Sequence, residues 1–117
     1  DFHLQKEDEF MFLEVKSVTL VENDVAKFPD AVTKRGKKHV EHLGEMALEG
    51  IRTMVMFVVQ RQDAKLFQPQ WERDPKFGYA LFKAWQNGLE VRVIHLKMTR
   101  SELQYLGEIP AELNPES

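Results

Sequence analysis

The sequence predicts an α/β protein in which a mixed β-sheet is flanked by helices. The apolar run MVMFVV, residues 54–59, has no polar alternation, which is typical of a strand covered on both faces. A stretch with helical periodicity lies on each side of this run along the chain, and extended stretches lie beyond them. The predicted order is therefore β-β-α-β-α-β, followed by a frayed tail.

The chain is predicted to begin with a hairpin, in which strands over residues 1–5 and 9–21 are joined by a polar turn. In the second strand Met11, Leu13 and Val15 occupy alternate positions and are predicted to face the core. Glu14 and Lys16 then share the opposite face, with Cα atoms about 6.6 Å apart. Both side chains could therefore converge on one phosphate or one cation.

Two helices follow, and each has recognisable start and end signals. The first, over residues 31–49, has Asp30 as its predicted N-cap and ends at Gly50. The second begins with Asp74 as N-cap and Pro75 in its first turn. The remaining predictions are loops over 22–28 and 61–73, a strand over 51–60, the end of the second helix at Asn87 and Gly88, a strand over 89–98 and an edge segment over 103–113.

Composition restricts the class of protein and its compartment. The 117 residues, 43% of them hydrophobic, suit one domain with a real core. The absence of Cys excludes disulfides and thiolate metal sites, and no apolar run approaches the ~20 residues of a membrane span. We expect a soluble protein of the cytoplasm with no membrane contact. Because the chain starts at Asp1 without Met or a secretory leader, we also expect a fragment of a longer protein.

A basic cluster opens the first helix, although the net charge of the chain is -3. Such a cluster can follow the phosphate backbone of a nucleic acid. It can equally be a solvated helix face balanced by Glu41 and Glu45, and charge alone does not decide between the two. The predicted DNA-contacting residues are Lys34, Arg35, Lys37, Lys38 and His39.

Asp1, Glu14 and Lys16 form the candidate site for chemistry. If Asp1 lies on the neighbouring hairpin strand, its carboxylate and that of Glu14 supply the oxygen ligands that Mg²⁺ or Mn²⁺ prefers. Lys16 would stabilise the charge that develops on a phosphate. The spacing alone favours a simpler interpretation, an exposed ion pair that contributes about 0 to 1 kcal/mol.

Three blocks of sequence resemble the sugar fermentation stimulation protein A family. They are EVKSVTL at 14–20, FPDAVTKRGKKHV at 28–40 and RQDAKLFQPQWERDPKF at 61–77. The resemblance implies a restriction-endonuclease-like fold, with residues 1–117 forming a single PD-(D/E)xK nuclease-like domain. It also implies that this domain is the C-terminal part of a longer protein whose OB-like N-terminal domain is absent here. Asp1 matches the family's first acidic position, and Glu14 and Lys16 match its (D/E)xK pair.

The resemblance implies a DNA-binding protein with a metal-dependent endonuclease site, in which Asp1 and Glu14 hold Mg²⁺ or Mn²⁺ and Lys16 assists the water. The alternative is a non-catalytic DNA-binding regulator of sugar-utilisation genes. A third interpretation is a scaffold for protein contacts only. An edge strand or the missing half could promote a homodimer, and no residue pattern identifies the interface.

Overall fold

The computed structural model describes residues 2–6 and 9–116. Within them the chain forms two sheets and two helices, so the predicted α/β class is confirmed. In chain order the elements are β1 Phe2–Lys6, β2 Glu9–Val18, β3 Leu20–Glu22, β4 Val25–Phe28, α1 Lys34–Leu48, β5 Arg52–Val59, β6 Leu66–Pro69, α2 Pro75–Gln86, β7 Glu90–Met98 and β8 Leu103–Glu108.

The larger sheet is mixed and has five strands in the order β1-β2-β5-β7-β8. Its three inner strands are parallel, and β1 and β8 pair antiparallel at the two edges. Parallel neighbours require a crossover, which α1 provides between β2 and β5 and α2 provides between β5 and β7. The predicted hairpin is confirmed, and the apolar run MVMFVV lies in the central strand.

The second sheet, β3-β4-β6, was not predicted. Predicted loops cover β4 and β6, and the predicted strand over 9–21 ends instead at Val18. Glu22 pairs with Val25 across a turn whose two residues, Asn23 and Asp24, have φ of 50° and 68°. Asn and Asp tolerate positive φ. A two-residue hairpin turn requires it, because the twist of the turn then matches the right-handed twist of the two strands. This pair was the turn signal that sequence reasoning missed.

The two helices begin with side-chain caps. The prediction of Asp30 as the first cap is wrong, because Thr33 fills that position and its Oγ1 accepts a hydrogen bond of 2.9 Å from the Gly36 amide. Asp74 caps α2 as predicted and accepts from the Phe77 amide at 3.1 Å. Among the described residues, no helix combines the length and the apolar character needed to cross a membrane.

The two faces of β2 are the reverse of the prediction: the face that was predicted to be exposed is the buried one. Parallel register places Glu14 beside Val55, which is fully buried. Glu14 is itself only 8% exposed, whereas Val15, which was predicted to face the core, is 39% exposed. Helix α1 packs against β5 and contacts Glu14 through His39. The register with β5 places Glu14 beside Val55 and Lys16 beside Phe57, both fully buried, so Glu14 and Lys16 lie on the face that α1 covers. The prediction that Met11, Leu13 and Val15 form the core side is therefore wrong.

Substituting Gly44 with valine is expected to lower the free energy of unfolding by about 1–3 kcal/mol, because it overpacks the crossing of α1 and α2. A Cβ atom at Gly44 would lie 2.8 Å from the Ala84 Cβ and 2.9 Å from its Cα, so the helices would have to separate. Denaturant unfolding measures the change. Glu45→Val adds the same side chain at an exposed position of α1, and an equal effect of both variants would contradict the close crossing.

Candidate functional site

The candidate site is built around the buried carboxylate of Glu14. Lys16, two residues along β2, places its Nζ 3.2 Å from Glu14 Oε1, and each side chain is 10% exposed. A carboxylate at this depth needs charged or hydrogen-bonding partners, since burying an uncompensated charge is costly. The exposed ion pair that spacing alone suggested does not describe this arrangement.

Helix α1 adds His39 to the same oxygen. Its Nδ1 lies 2.9 Å from Glu14 Oε1, and its side chain is 28% exposed. The sequence suggested a nucleic-acid contact for His39, and periodicity alone does not indicate this bond to a residue 25 positions away. The connection between parallel strands was the available signal, because a helix that crosses from β2 to β5 packs over the strands it joins.

The electrostatics of the site are dominated by positive groups. Burial lowers the pKa of Lys16, and the nearby charge of Arg35 lowers it further. Burial is also the main reason why the pKa of His39 is lowered, and Lys16 and Arg35 add to the effect. The contact with Glu14 would favour the imidazolium form, but these opposing causes outweigh it. One buried carboxylate therefore lies among three basic side chains, and the positive charges of Lys16 and Arg35 favour a phosphate beside that carboxylate.

An aromatic side chain supports Lys16 from the core. The Lys16 Nζ lies 5.9 Å from the centroid of the Phe28 ring, within the range of a cation–π interaction. Phe28 packs in turn against Phe57 and Phe77, with ring centroids 5.3 Å and 5.2 Å away. The ammonium group thus lies between a carboxylate and a partly buried ring that packs against the core.

The predicted DNA-contacting residues of α1 divide between two sides of the helix. Arg35 and His39, four positions apart, belong to the Glu14 side, because both influence Lys16 or contact Glu14. Lys37 pairs with Glu41 at 3.6 Å and lines a groove between α1 and α2. Lys34 and Lys38 are exposed to solvent.

The predicted ligand Asp1 lies outside the described residues. Within residues 2–6 and 9–116, no group of three or more His, Cys, Asp or Glu side chains is arranged to hold a metal ion. Of the predicted set, the structure therefore brings together Glu14 and Lys16, and it adds His39.

A family model described as "Sugar fermentation stimulation protein RE domain" matches residues 1–102. The chain belongs to the sugar fermentation stimulation protein family. Relatives called sugar fermentation stimulation protein homolog include one from Natranaerobius thermophilus, 44% identical over 86% of this chain and 42% of the relative. Another, from Desulforamulus reducens, is 40% identical over 97% of this chain and 47% of the relative.

A solved structure of the same family has the same fold. It is described as Pyrococcus furiosus SfsA in complex with Ca²⁺, and it matches with a TM-score of 0.90 and 33% identity over 96% of this chain and 49% of that one. This chain thus spans less than half the length of the family members with which it is compared above.

Proposed function

We propose that this chain binds DNA and holds a divalent cation on Glu14 for the hydrolysis of phosphodiester bonds. The observation that carries the proposal is the buried Glu14 carboxylate, which Lys16 and His39 contact from two different elements. A carboxylate oxygen is the donor that Mg²⁺, Mn²⁺ and Ca²⁺ prefer. The Ca²⁺ complex of the Pyrococcus furiosus relative supports the binding of a divalent cation by a protein of this fold.

The side chains of the site have separate roles in this proposal. A bound divalent cation supplies the charge that activates water and stabilises the oxygens of the phosphate. Lys16 provides a fixed positive charge beside the reacting phosphate, because its ammonium group is restrained by Glu14 and by the Phe28 ring. Arg35 is exposed on the same side of α1 and would bind a neighbouring phosphate of the DNA backbone.

Replacing Arg35 with glutamine is expected to weaken DNA binding by a similar factor for all sequences and to reduce the salt slope of log K by about 1. The reason is that a protein with one phosphate contact fewer releases fewer counterions from the DNA when it binds. Fluorescence anisotropy over a salt series measures both effects. Arg100→Gln removes the same charge at an exposed position beyond β7 and is the control. Equal slopes for the two variants would contradict a phosphate contact at Arg35.

The experiment that tests the proposal is incubation of the full-length protein with supercoiled, linear and single-stranded DNA in Mg²⁺, Mn²⁺ or EDTA. Cleavage that requires the metal is the expected result. Absence of DNA binding even at low salt would overturn the proposal and would leave a scaffold for protein contacts.

A non-catalytic DNA-binding regulator is the second candidate function. The contacts of Glu14 favour it in one respect, because Lys16 Nζ and His39 Nδ1 both already lie within hydrogen-bond distance of Oε1. Such a protein would bind DNA through the same basic side chains of α1 without a metal requirement. Salt-sensitive binding with no cleavage in any metal would select this function.

A further inference from the structure

His39 lies in the candidate site rather than on the open surface of α1. Its Nδ1 is 2.9 Å from Glu14 Oε1, and Lys16 Nζ is 3.2 Å from the same atom. His42, which follows three positions later on the helix, is exposed. The two histidines therefore have different surroundings, although both belong to the basic part of the helix.

Two donors on one oxygen restrict the orientation of the carboxylate. The Lys16 donor comes from the strand that carries Glu14, and the His39 donor comes from α1, so together they restrain rotation of the carboxylate about its last bond. The carboxylates that bind a metal are themselves commonly held by hydrogen bonds from neighbouring groups, and loss of such a partner typically weakens metal binding about 10- to 100-fold.

We propose that His39 is a positioning residue, whose Nδ1–H holds Glu14 Oε1 so that the other carboxylate oxygen is presented to a divalent cation. The inference rests on the proposed function, since it requires the cation to bind Glu14. It also removes His39 from the predicted set of DNA-contacting residues. A cation between Oε1 and Nδ1 is disfavoured, because the Lys16 ammonium group lies against the same oxygen.

Substitutions of His39 separate this role from direct ligation and from DNA contact. The side-chain nitrogen of asparagine stands at the same bond position as Nδ1, so His39→Asn keeps a donor to Glu14. His39→Ala removes the donor, and His39→Gln moves it one bond further from the backbone. His42→Ala is the matched control on the exposed side of α1.

Isothermal calorimetry of Mn²⁺ binding to the full-length protein is the measurement, with thermal melting to verify folding. We expect His39→Ala and His39→Gln to weaken Mn²⁺ about 10- to 100-fold. His39→Asn and His42→Ala should stay close to the wild type. Equal weakening by all three His39 variants would show that the imidazole itself is a ligand and would overturn the positioning role.

Two further outcomes distinguish the inference from the function on which it rests. Wild-type affinity in His39→Ala and His39→Gln, with loss of Mn²⁺ binding in Glu14→Gln, would overturn the role of His39 and leave the proposed function standing. Equal Mn²⁺ affinity in the wild type and Glu14→Gln would overturn the proposed function itself.

Discussion

Substituting Glu14 with glutamine is expected to lower the rate of metal-dependent DNA cleavage by about 10²- to 10³-fold. Glutamine keeps the shape of the side chain but removes the charge that would hold the cation. DNA binding should be retained or strengthened, because the variant deletes the negative charge that lies among Lys16, Arg35 and His39. Initial rates of plasmid nicking and anisotropy with a DNA duplex measure the two effects separately.

The control for this variant is Glu45→Gln, which removes the same charge from an exposed position of α1. Its cleavage rate should match that of the wild type. Wild-type cleavage by Glu14→Gln would end the assignment of the chemistry to this carboxylate. A loss of both cleavage and DNA binding would instead indicate that the substitution distorts the DNA-binding surface as a whole.

Replacing Asp74 with alanine is expected to lower the free energy of unfolding by about 2–4 kcal/mol. Asp74 is 4% exposed and serves two segments at once. Its Oδ1 accepts from the Phe77 amide at 3.1 Å, which caps α2, and its Oδ2 accepts from the amide of Thr33, the N-cap of α1, at 2.9 Å. Alanine would leave both amides without this acceptor, and denaturant unfolding measures the cost.

Two variants calibrate the effect of Asp74. Asp74→Asn keeps one acceptor oxygen and directs an amide group at the second N–H, so an intermediate loss is expected. Asp63→Ala removes an exposed aspartate that pairs with Arg61 at 2.6 Å, and its effect on unfolding should be much smaller because an exposed ion pair contributes little to stability. A loss in Asp74→Ala no larger than in Asp63→Ala would contradict the joint capping role.

The sequence was sufficient to predict an element where the residues that start it, end it or make it apolar lie within the element or directly beside it. Asp74 and Pro75 predicted the start of α2, and its cap at Asn87 is also as predicted. The unbroken apolar run of β5 predicted the centre of the sheet, and β5 lies there. Cover on both faces was predicted as well, but Met56 and Val58 on one face are only partly buried. In these cases the interactions that stabilise the element join groups within a few residues of one another.

The orientation of β2 depends on its neighbours and was beyond local reasoning. Alternation showed correctly that Glu14 and Lys16 share a face, but which face the helices cover is decided by pairing with β5, about 40 residues later. The apolar residues Met11, Leu13 and Val15 made the wrong face appear to be the core. The pairing of β4 with β6 was missed for the same reason, because these strands lie far apart along the chain. The β3–β4 hairpin, in contrast, has a local signal in the Asn23–Asp24 turn.

The candidate site was predicted in part. The spacing of Glu14 and Lys16 correctly indicated that their side chains meet. The bond from His39 could not be predicted from periodicity, since it depends on how α1 lies across the sheet. Glu14 and Lys16, two of the three residues that the family resemblance singled out, thus have an additional partner from a different element.

The central claim is that the Glu14 carboxylate holds a divalent cation, and anomalous diffraction from crystals of the full-length protein grown with Mn²⁺ tests it most directly. We predict an anomalous peak in contact with Glu14 that disappears in crystals of Glu14→Gln. Crystals saturated with Mn²⁺ that show no peak at Glu14, or an unchanged peak in the variant, would contradict the claim.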